Sequence, residues 1–132
     1  MIMPSRWFSG GSWGLDDFRN RMTSDHHLTK IVDYTNAKDL FPNISIGGGI
    51  CYFLWSQDNT SGCIVTNVLN NERSSLTRDL GKYGDVFIRS NEAISIVDKV
   101  LSGAEAFVID MVSAIDTFGI PSKEKGHSEY QE

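Results

Sequence analysis

The segment from Gly47 to Trp55, which reads GGGICYFLW, constrains the fold of this chain more than any other part. Its glycines run directly into an apolar stretch rich in aromatic residues, a pattern that predicts a strand at the centre of a sheet. Glycine lacks a Cβ atom, so these residues let another backbone, or a planar ligand, come close to the start of the strand. Glycines in this place often serve only a turn or packing, and both interpretations stay open.

Length and composition predict one domain with a single core. The 132 residues are 40% hydrophobic and 22% charged, which is ordinary for a soluble globular protein. No apolar run approaches the roughly 20 residues that cross a bilayer, and the beginning of the chain, MIMPSRWF, has no signal-peptide features. We therefore expect a cytoplasmic protein without a membrane span.

The reactive and charged residues exclude several functions. Cys51 and Cys63 lie in strand-like segments, and in a reducing compartment we expect two buried thiols and no disulfide. His26, His27 and His127 have no metal-ligand spacing, so no metal site is predicted. A formal net charge of −5 argues against a freestanding nucleic-acid-binding protein, which would usually be basic.

The first part of the chain predicts an α/β sheet with one reversed strand. Ile2 and Met3 read as the end of a strand, Leu15 to His27 as an amphipathic helix, Leu28 to Tyr34 as a second strand and Ile44 to Trp55 as a third. A strand, a helix and a strand form a right-handed parallel crossover. The third strand has no helix before it, and we expect it to be antiparallel to its neighbour.

The second part of the chain predicts one further strand and two helices. Cys63 to Leu69 is expected to form a hairpin with Ile50 to Trp55, and Glu72 to Asp85 is read as a loop or an irregular strand pair. The predicted helices are Asn91 to Gly103, capped by Asn91, and Ala104 to about Ile115. Ser122 to Glu132 is polar, and a frayed tail is expected there.

The segments IMPSRWF, GLDDFRNRM, KIVDYTNAKDLFP, SIGGGICYFLW and DVFIRSNEAISIVDKV together resemble one family. In this order they are similar to the later part of the adenine-N6 DNA methyltransferases of restriction-modification systems, specifically the large bifunctional type II enzymes. The resemblance covers residues 1 to 102. It implies a partial Rossmann-like methyltransferase sheet with the fifth strand, the following helix, the sixth strand and the reversed seventh strand, and then a C-terminal helical segment.

The resemblance also implies a fragment of such an enzyme. Family members bind S-adenosylmethionine through a glycine-rich loop after the first strand and hold the target amine with an Asn-Pro-Pro-Tyr or related motif, and this sequence has neither. Its prolines are Pro4, Pro42 and Pro121. We expect residues 1–57 to be the later half of a catalytic domain, 58–121 a hairpin and helices leading into the target-recognition region, and 122–132 a disordered tail. Without the cofactor segments, the isolated chain would be inactive, with DNA as partner and S-adenosylmethionine as cofactor only in the intact enzyme.

The site residues are carried over from the resemblance. The target-base pocket would contain Phe41, Gly47 and Gly48, with Phe41 packed against a flipped adenine. Arg6, Lys38 and Asn43 would contact DNA. The simpler alternatives are that Phe41 fills the core beneath its loop and that Arg6 forms a surface salt bridge. No residue is assigned a catalytic role.

A second interpretation does not involve catalysis. Half of a sheet leaves an exposed strand edge and an uncovered apolar face, and both favour association. The chain would then be an α/β interaction module that forms a homodimer or pairs with a separate cofactor-binding half.

Overall fold

A mixed sheet of five strands is the centre of the computed structural model, which describes residues 1–11, 14–59 and 61–103. The strands are β1 (Ile2–Pro4), β2 (Leu28–Tyr34), β3 (Ile50–Trp55), β4 (Cys63–Leu69) and β5 (Glu72–Arg78). The helices are α1 (Leu15–Ser24) and α2 (Asn91–Gly103), with short 3-10 helices at Ser5–Phe8 and Ala37–Asp39. This architecture confirms the predicted α/β class.

The order of the strands across the sheet is β1-β3-β2-β4-β5. β3 lies between β1 and β2 and is antiparallel to both, with Met3 opposite Cys51 and Val32 opposite Tyr52. β1 and β2 therefore run in the same direction, and α1 connects them. The prediction of a parallel strand, helix and strand followed by a reversed strand is confirmed.

β3 is shorter than predicted because the glycines before it are not extended. The strand begins at Ile50, not at Ile44. Gly48 and Gly49 have φ angles of 88° and 81°, in the left-handed region that side chains disfavour. The glycine run therefore forms a loop that delivers the chain into the sheet, where Ile50 and Cys51 are buried.

The predicted hairpin between Cys63–Leu69 and Ile50–Trp55 is wrong. β4 instead lies on the other side of β2 and is parallel to it. The chain passes from β3 to β4 around the amino end of β2, where the side-chain amide of Asn59 donates hydrogen bonds to the carbonyls of His26, Leu28 and Gly62 at 2.7, 3.0 and 3.2 Å. These bonds satisfy backbone carbonyls that the crossing would otherwise leave without a hydrogen-bond partner.

The interpretation of Glu72 to Asp85 as a loop or an irregular pair is wrong for its first part, because β5 is a regular strand antiparallel to β4. Asn70 and Asn71 join the two strands with φ angles of 51° and 67°. Two successive left-handed residues are typical of a type I′ turn, which Asn tolerates well. β5 is an edge strand with mostly exposed polar residues, so it lacks the apolar alternation that marks a strand.

The core lies mainly on the face of the sheet that α1 covers. Its central aromatic contact is the stacking of Phe8 on Phe87, with ring centroids 4.3 Å apart. The other buried members are Trp7, Leu28, Ile31, Cys51, Cys63 and Val65. The opposite face has a smaller buried cluster of Val32, Tyr34 and Val68.

Helix α1 ends at Ser24 instead of His27, because Asp25 is the C-cap and His26 has a φ angle of 57°. Helix α2 begins at Asn91, and Gly103 is the last residue of the described range 61–103, so the predicted end of the helix stays a prediction. The prediction that Asn91 caps the helix is wrong. Asn91 is the first helical residue, and its buried amide donates to the carbonyls of Val65 and Ser74 at 2.9 Å. Asn91 therefore fastens the helix to β4 and β5.

Residues 1–98 form one compact unit and residues 99–132 a second, and the site described below lies within the first. The predicted helix Ala104 to Ile115 and the predicted tail Ser122 to Glu132 fall outside the described residues. Among the helices of the described ranges, none has the length and apolar character needed to cross a membrane.

Candidate functional site

The carboxyl ends of β1, β2 and β4 lie at one edge of the sheet, since these three strands run in the same direction. β3 runs in the opposite direction and therefore begins at this edge, so its glycine loop lies there too. The backbone N–H of Ser5, just after β1, donates to the carbonyl of Gly49 at 3.0 Å. Open α/β sheets bind their ligands at this edge.

Gly49 permits a close approach between two backbone segments. A Cβ atom at this position would collide with the carbonyl oxygens of Tyr34 and Thr35 and with the Arg89 guanidinium. The sequence predicted that the glycine run lets either another backbone or a planar ligand come close. At Gly49 it is another backbone that comes close. Gly47 and Gly48 differ, because they are exposed and a Cβ at Gly47 would meet no atom within 4 Å.

A buried carboxylate, that of Asp33, links the segment that follows β1 to Arg89. Asp33 is 1% exposed. It accepts hydrogen bonds from Ser5 Oγ at 2.8 Å and from Arg89 Nε and Nη2 at 2.6 and 2.8 Å. Three charge-assisted bonds compensate the desolvation that would otherwise make this burial unfavourable. Sequence reasoning missed Arg89; the signal was an aspartate inside an apolar strand, which requires a cationic partner.

The hydrogen bonds continue from this ion pair into β4 and α2. The side-chain amide of Asn67 donates to the Arg89 carbonyl at 3.0 Å, and its oxygen accepts from the backbone N–H of Asn91 at 2.8 Å. The Arg89 guanidinium also lies over the ring of Phe8, 5.6 Å from its centroid. The carboxyl ends of three strands and the beginning of α2 are thus held in one frame.

The loop after β2 is stiffened by local hydrogen bonds. The Asn36 side chain accepts from the Lys38 backbone N–H at 3.1 Å, and the Phe41 N–H donates to the Ala37 carbonyl at 2.9 Å. Ala37 is buried, whereas Phe41 is 38% exposed. A large aromatic ring is therefore presented partly to solvent on a structured loop.

The six residues predicted to form the site lie on segments that adjoin this edge, although their roles remain predictions. Arg6 follows β1, and a Cβ at Gly48 would be 3.7 Å from its Cγ atom. Lys38, Phe41 and Asn43 follow β2, and Gly47 and Gly48 precede β3. Lys38 and Asn43 are exposed, as is Arg6. Within the described ranges Arg6 makes no salt bridge, so the simple alternative for this residue finds no support there.

An open groove of about 630 Å³ lies beside the ion pair. It runs between the β4–β5 hairpin and the beginning of α2, and its walls include Thr35, Asn67, Asn70, Arg73, Ser74 and Arg89. Its volume falls within the range of about 300–1,000 Å³ that is typical of ligand sites. Sequence reasoning did not find this groove, because its walls come from segments distant along the chain.

A smaller cavity of about 360 Å³ lies at the opposite edge, near the amino ends of β2 and β4. Cys63 and Arg78 are among its lining residues. Burial raises the pKa of the Cys63 thiol to about 12, and burial also lowers the pKa of Arg78. The described residues contain no group of three or more His, Cys, Asp or Glu side chains able to hold a metal ion.

Two comparisons with known proteins indicate a class of methylases. The family described as "Eco57I restriction-modification methylase" matches residues 1–41. An uncharacterized adenine-specific methylase of Mycoplasma pneumoniae is 23% identical over 138 residues, which cover 100% of this chain and 30% of that protein. No solved structure matches the chain.

These matches confirm the predicted resemblance to adenine-specific methylases of restriction-modification systems. The chain spans about a third of the length of its curated relative, so the activity of a whole enzyme enters below only as a proposal.

S-adenosylmethionine, the cofactor that a methylase requires, does not fit the glycine loop of this chain. The space beside Gly49 is filled by the carbonyls of Tyr34 and Thr35. The loop also leads into a strand, whereas the cofactor-cradling arrangement follows a strand and opens a helix. Gly49 thus has a structural role, which is to admit the neighbouring backbone. Within the glycine run, open space remains beside Gly47 and Gly48.

Proposed function

We propose that this chain is part of an adenine-specific DNA methyltransferase of a restriction-modification system and forms one wall of its target-adenine pocket. The observation that carries the proposal is the half-exposed ring of Phe41, held on a hydrogen-bonded loop at the carboxyl edge of the sheet. The match of the restriction-modification methylase family to residues 1–41, which end at this ring, supports it. The reversed β3 between two parallel strands is consistent with a Rossmann-like methyltransferase sheet.

The pocket has a physical rationale in the chemistry of methylating a base. An adenine inside duplex DNA must leave the stack before its amine is accessible, and an aromatic face can replace part of the stacking that is lost. We assign that face to Phe41. Gly47 and Gly48 have no side chains to obstruct a planar base, and the hydrogen bond from Ser5 N–H to Gly49 holds their loop in place.

We assign the contacts with the DNA backbone to the exposed polar residues around this wall. Arg6 and Lys38 would contact phosphates as cations, and Asn43 would donate from its side-chain amide. Phosphate contacts release counterions, so binding should weaken steeply as salt rises. The net charge of −5 makes this surface a local feature of an otherwise acidic chain.

The cofactor belongs to another part of the intact enzyme in this proposal. S-adenosylmethionine supplies the methyl group in such enzymes, and the sequence motifs that bind it are not found here. The coverage of 30% of the M. pneumoniae relative is consistent with this division. We therefore propose that the chain alone does not methylate DNA.

The test is a fluorescence anisotropy titration of the chain with a short labelled duplex at low salt, in which the adenine faces an abasic site so that flipping is easy. Loss of stacking worth about 1–3 kcal/mol predicts that Phe41→Ala weakens binding about 5- to 150-fold. Phe41→Trp should keep the affinity. The control is Leu54→Ala, which removes another exposed apolar side chain near the opposite end of β3.

Equal affinities of the wild type and Phe41→Ala would contradict the pocket. A wild-type chain that binds no duplex at low salt would contradict the DNA-binding function altogether.

A second candidate function is association with another protein segment through the face of the sheet opposite α1. Ile2, Leu54 and Ile64 lie on that face, because they share register rows with Tyr52 and Lys30, and they are 52, 61 and 46% exposed. Light scattering distinguishes the candidates. A doubled mass that Leu54→Lys reduces to that of one chain would support a homodimer.

A further inference from the structure

We propose that Asp39 positions the ring of Phe41 for the target base, because its carboxylate fastens the loop after β2 to the turn between β4 and β5. The inference rests on the proposed function and extends it from the aromatic wall to the residue that orients this wall. Asp39 is a positioning residue in this account, since it acts through Phe41 and does not contact DNA itself.

The Asp39 carboxylate uses both of its oxygens. Oδ2 accepts a hydrogen bond from the backbone N–H of Asn70 at 3.0 Å, and Oδ1 accepts one from the side-chain amide of Asn36 at 3.2 Å. One oxygen thus bonds within the loop and the other bonds to the hairpin. Hydrogen bonds to an ionised acceptor are stronger than those between neutral groups.

The bond between Asp39 and Asn70 joins two segments that are distant along the chain. Among the hydrogen bonds of the described residues, it is the one that links residues 36–44 to another part of the chain. The other bonds of this segment, such as that from the Phe41 N–H to the Ala37 carbonyl, are internal. Internal bonds give the loop its shape but do not fix that shape relative to the sheet, so its orientation depends on Asp39.

The hairpin offers Asp39 a rigid point of attachment. Its turn consists of Asn70 and Asn71, both in the left-handed region. The backbone N–H of the first turn residue takes no part in the ladder of a two-residue hairpin, so that of Asn70 is available to Asp39. β4 is also parallel to β2, the strand from which the loop emerges. Asp39 is therefore attached to a part of the sheet that is fixed relative to the start of the loop.

The apolar contact of the same loop does not orient it in this way. Leu40 lies between Asp39 and Phe41 and packs against the smaller buried cluster of the sheet. Hydrophobic contact is not directional, whereas a hydrogen bond depends on its angle. Leu40 thus holds the loop against the sheet, and Asp39 sets its direction. Stacking on a base requires the ring of the next residue to be held close to the productive geometry.

The charge of Asp39 makes the positioning role distinguishable from a direct effect on DNA. The carboxylate lies next to Lys38 in the sequence, on the loop to which we assign contacts with the DNA backbone. Through its charge alone it would repel phosphates, so removing it would strengthen binding. Positioning predicts the opposite sign, because a loop released from the hairpin must be ordered again when the base binds.

The experiment is a double-mutant cycle of Asp39 and Phe41, measured by anisotropy titration with the duplex in which one adenine faces an abasic site. Asp39→Ala should weaken binding about 2- to 10-fold, which corresponds to the cost of ordering a released segment. In the Phe41→Ala background the same substitution should cause no further weakening, since no ring is left to position.

Two further variants serve as controls. Asp39→Asn removes the same charge but keeps a side-chain oxygen that accepts hydrogen bonds, so it should bind more tightly than Asp39→Ala. Equal affinities of these two variants would contradict the role of the hydrogen bonds. Asp58→Ala removes an exposed carboxylate from the connection between β3 and β4, and it should not weaken binding.

Three results would overturn the inference while Phe41→Ala still weakens binding and the proposed function stands. The first is an Asp39→Ala variant that binds as tightly as the wild type or more tightly. The second is equal weakening by Asp39→Ala with and without the ring of Phe41. The third is loss of the sheet signal of Asp39→Ala in circular dichroism, since the carboxylate would then support the whole fold.

Failure of the wild-type chain to bind the duplex, or of Phe41→Ala to weaken binding, would overturn both proposals.

Discussion

Arg89 and Asp33 are 56 residues apart in the sequence and form a two-point ion pair, with Nε and Nη2 of the arginine on the two carboxylate oxygens. Asp33 is almost completely buried, and 31% of the Arg89 side chain is exposed. The pair thus joins the inside of the sheet to the surface at the edge where we place the site. Its position makes it the contact on which the geometry of that edge most depends.

Removing the arginine should destabilise the chain strongly. Arg89→Met leaves the Asp33 carboxylate buried with Ser5 as its remaining partner in the described residues, and breaking a buried pair from one side typically costs about 3–5 kcal/mol. Because Arg89 is partly exposed, we expect the lower end of that range. Urea unfolding followed by circular dichroism measures the difference.

The control for this variant is Lys82→Met, which breaks an exposed ion pair with Asp98. Water and salt screen such exposed pairs, so they contribute little to stability. Equal destabilisation by the two substitutions would show that the buried pair has no special role.

Gly49→Ala should also destabilise the chain. The φ angle of 81° is unfavourable for alanine, and the added methyl group would meet the carbonyls of Tyr34 and Thr35. Together these effects predict a loss of about 2–4 kcal/mol in the free energy of unfolding. Gly47→Ala is the matched variant, since it meets no atom within 4 Å. If Gly47→Ala were the more harmful of the two, the account of the loop would be wrong.

The thiols should be inert in the folded chain. Burial raises the pKa of Cys51 and brings that of Cys63 to about 12. At about pH 8, where a free cysteine reacts as its thiolate, Ellman's reagent should label neither residue until denaturant is added. Rapid labelling of the native chain would contradict the buried positions of these side chains.

The same shift predicts a pH dependence of stability. The folded state holds the Cys63 proton more tightly than the unfolded state, in which the thiol has its ordinary pKa of 9.0. Stability from this group is therefore complete below pH 9.0 and decreases as the pH rises toward about 12. Urea midpoints of the wild type and Cys63→Ala at increasing pH measure the contribution, which should be smaller in the variant.

Asn71→Gly should stabilise the β4–β5 hairpin. Asn71 has a φ angle of 67°, and glycine at the second position of a type I′ turn is the preferred residue. We expect a gain of about 0.5–1 kcal/mol, whereas Asn71→Val should lose more than that because a β-branched residue is strained there. Thermal unfolding of the two variants determines the sign, and a more stable valine variant would exclude the assigned turn.

The parts of the fold predicted correctly are those in which local pattern and burial agree. Leu28 to Tyr34 is an apolar strand in a protected position, and the residues that follow Asn91 have helical periodicity. The strand predicted for Ile44 to Trp55 is an interior and reversed strand, as expected, but it begins only at Ile50. The place of Cys63 to Leu69 in the sheet was predicted wrongly, because its pairing with β2 depends on a crossing that no local pattern encodes.

The candidate site was predictable only in part for the same reason. The resemblance supplied Phe41 and the glycine run, and their positions at one edge follow from the strand directions. Arg89 belongs to the site only through its contacts with Asp33, which is far away in the sequence.

The path of the chain from β3 to β4 has a consequence for folding. β2 is enclosed between a strand that precedes the crossing and a strand that follows it, and Asn59 holds the crossing to the amino end of β2. The central strand cannot complete its pairing until both neighbours have been synthesised and the connection has closed. The sheet should therefore assemble late and lose its structure in one cooperative step, so that no stable intermediate retains β2 with β3 alone.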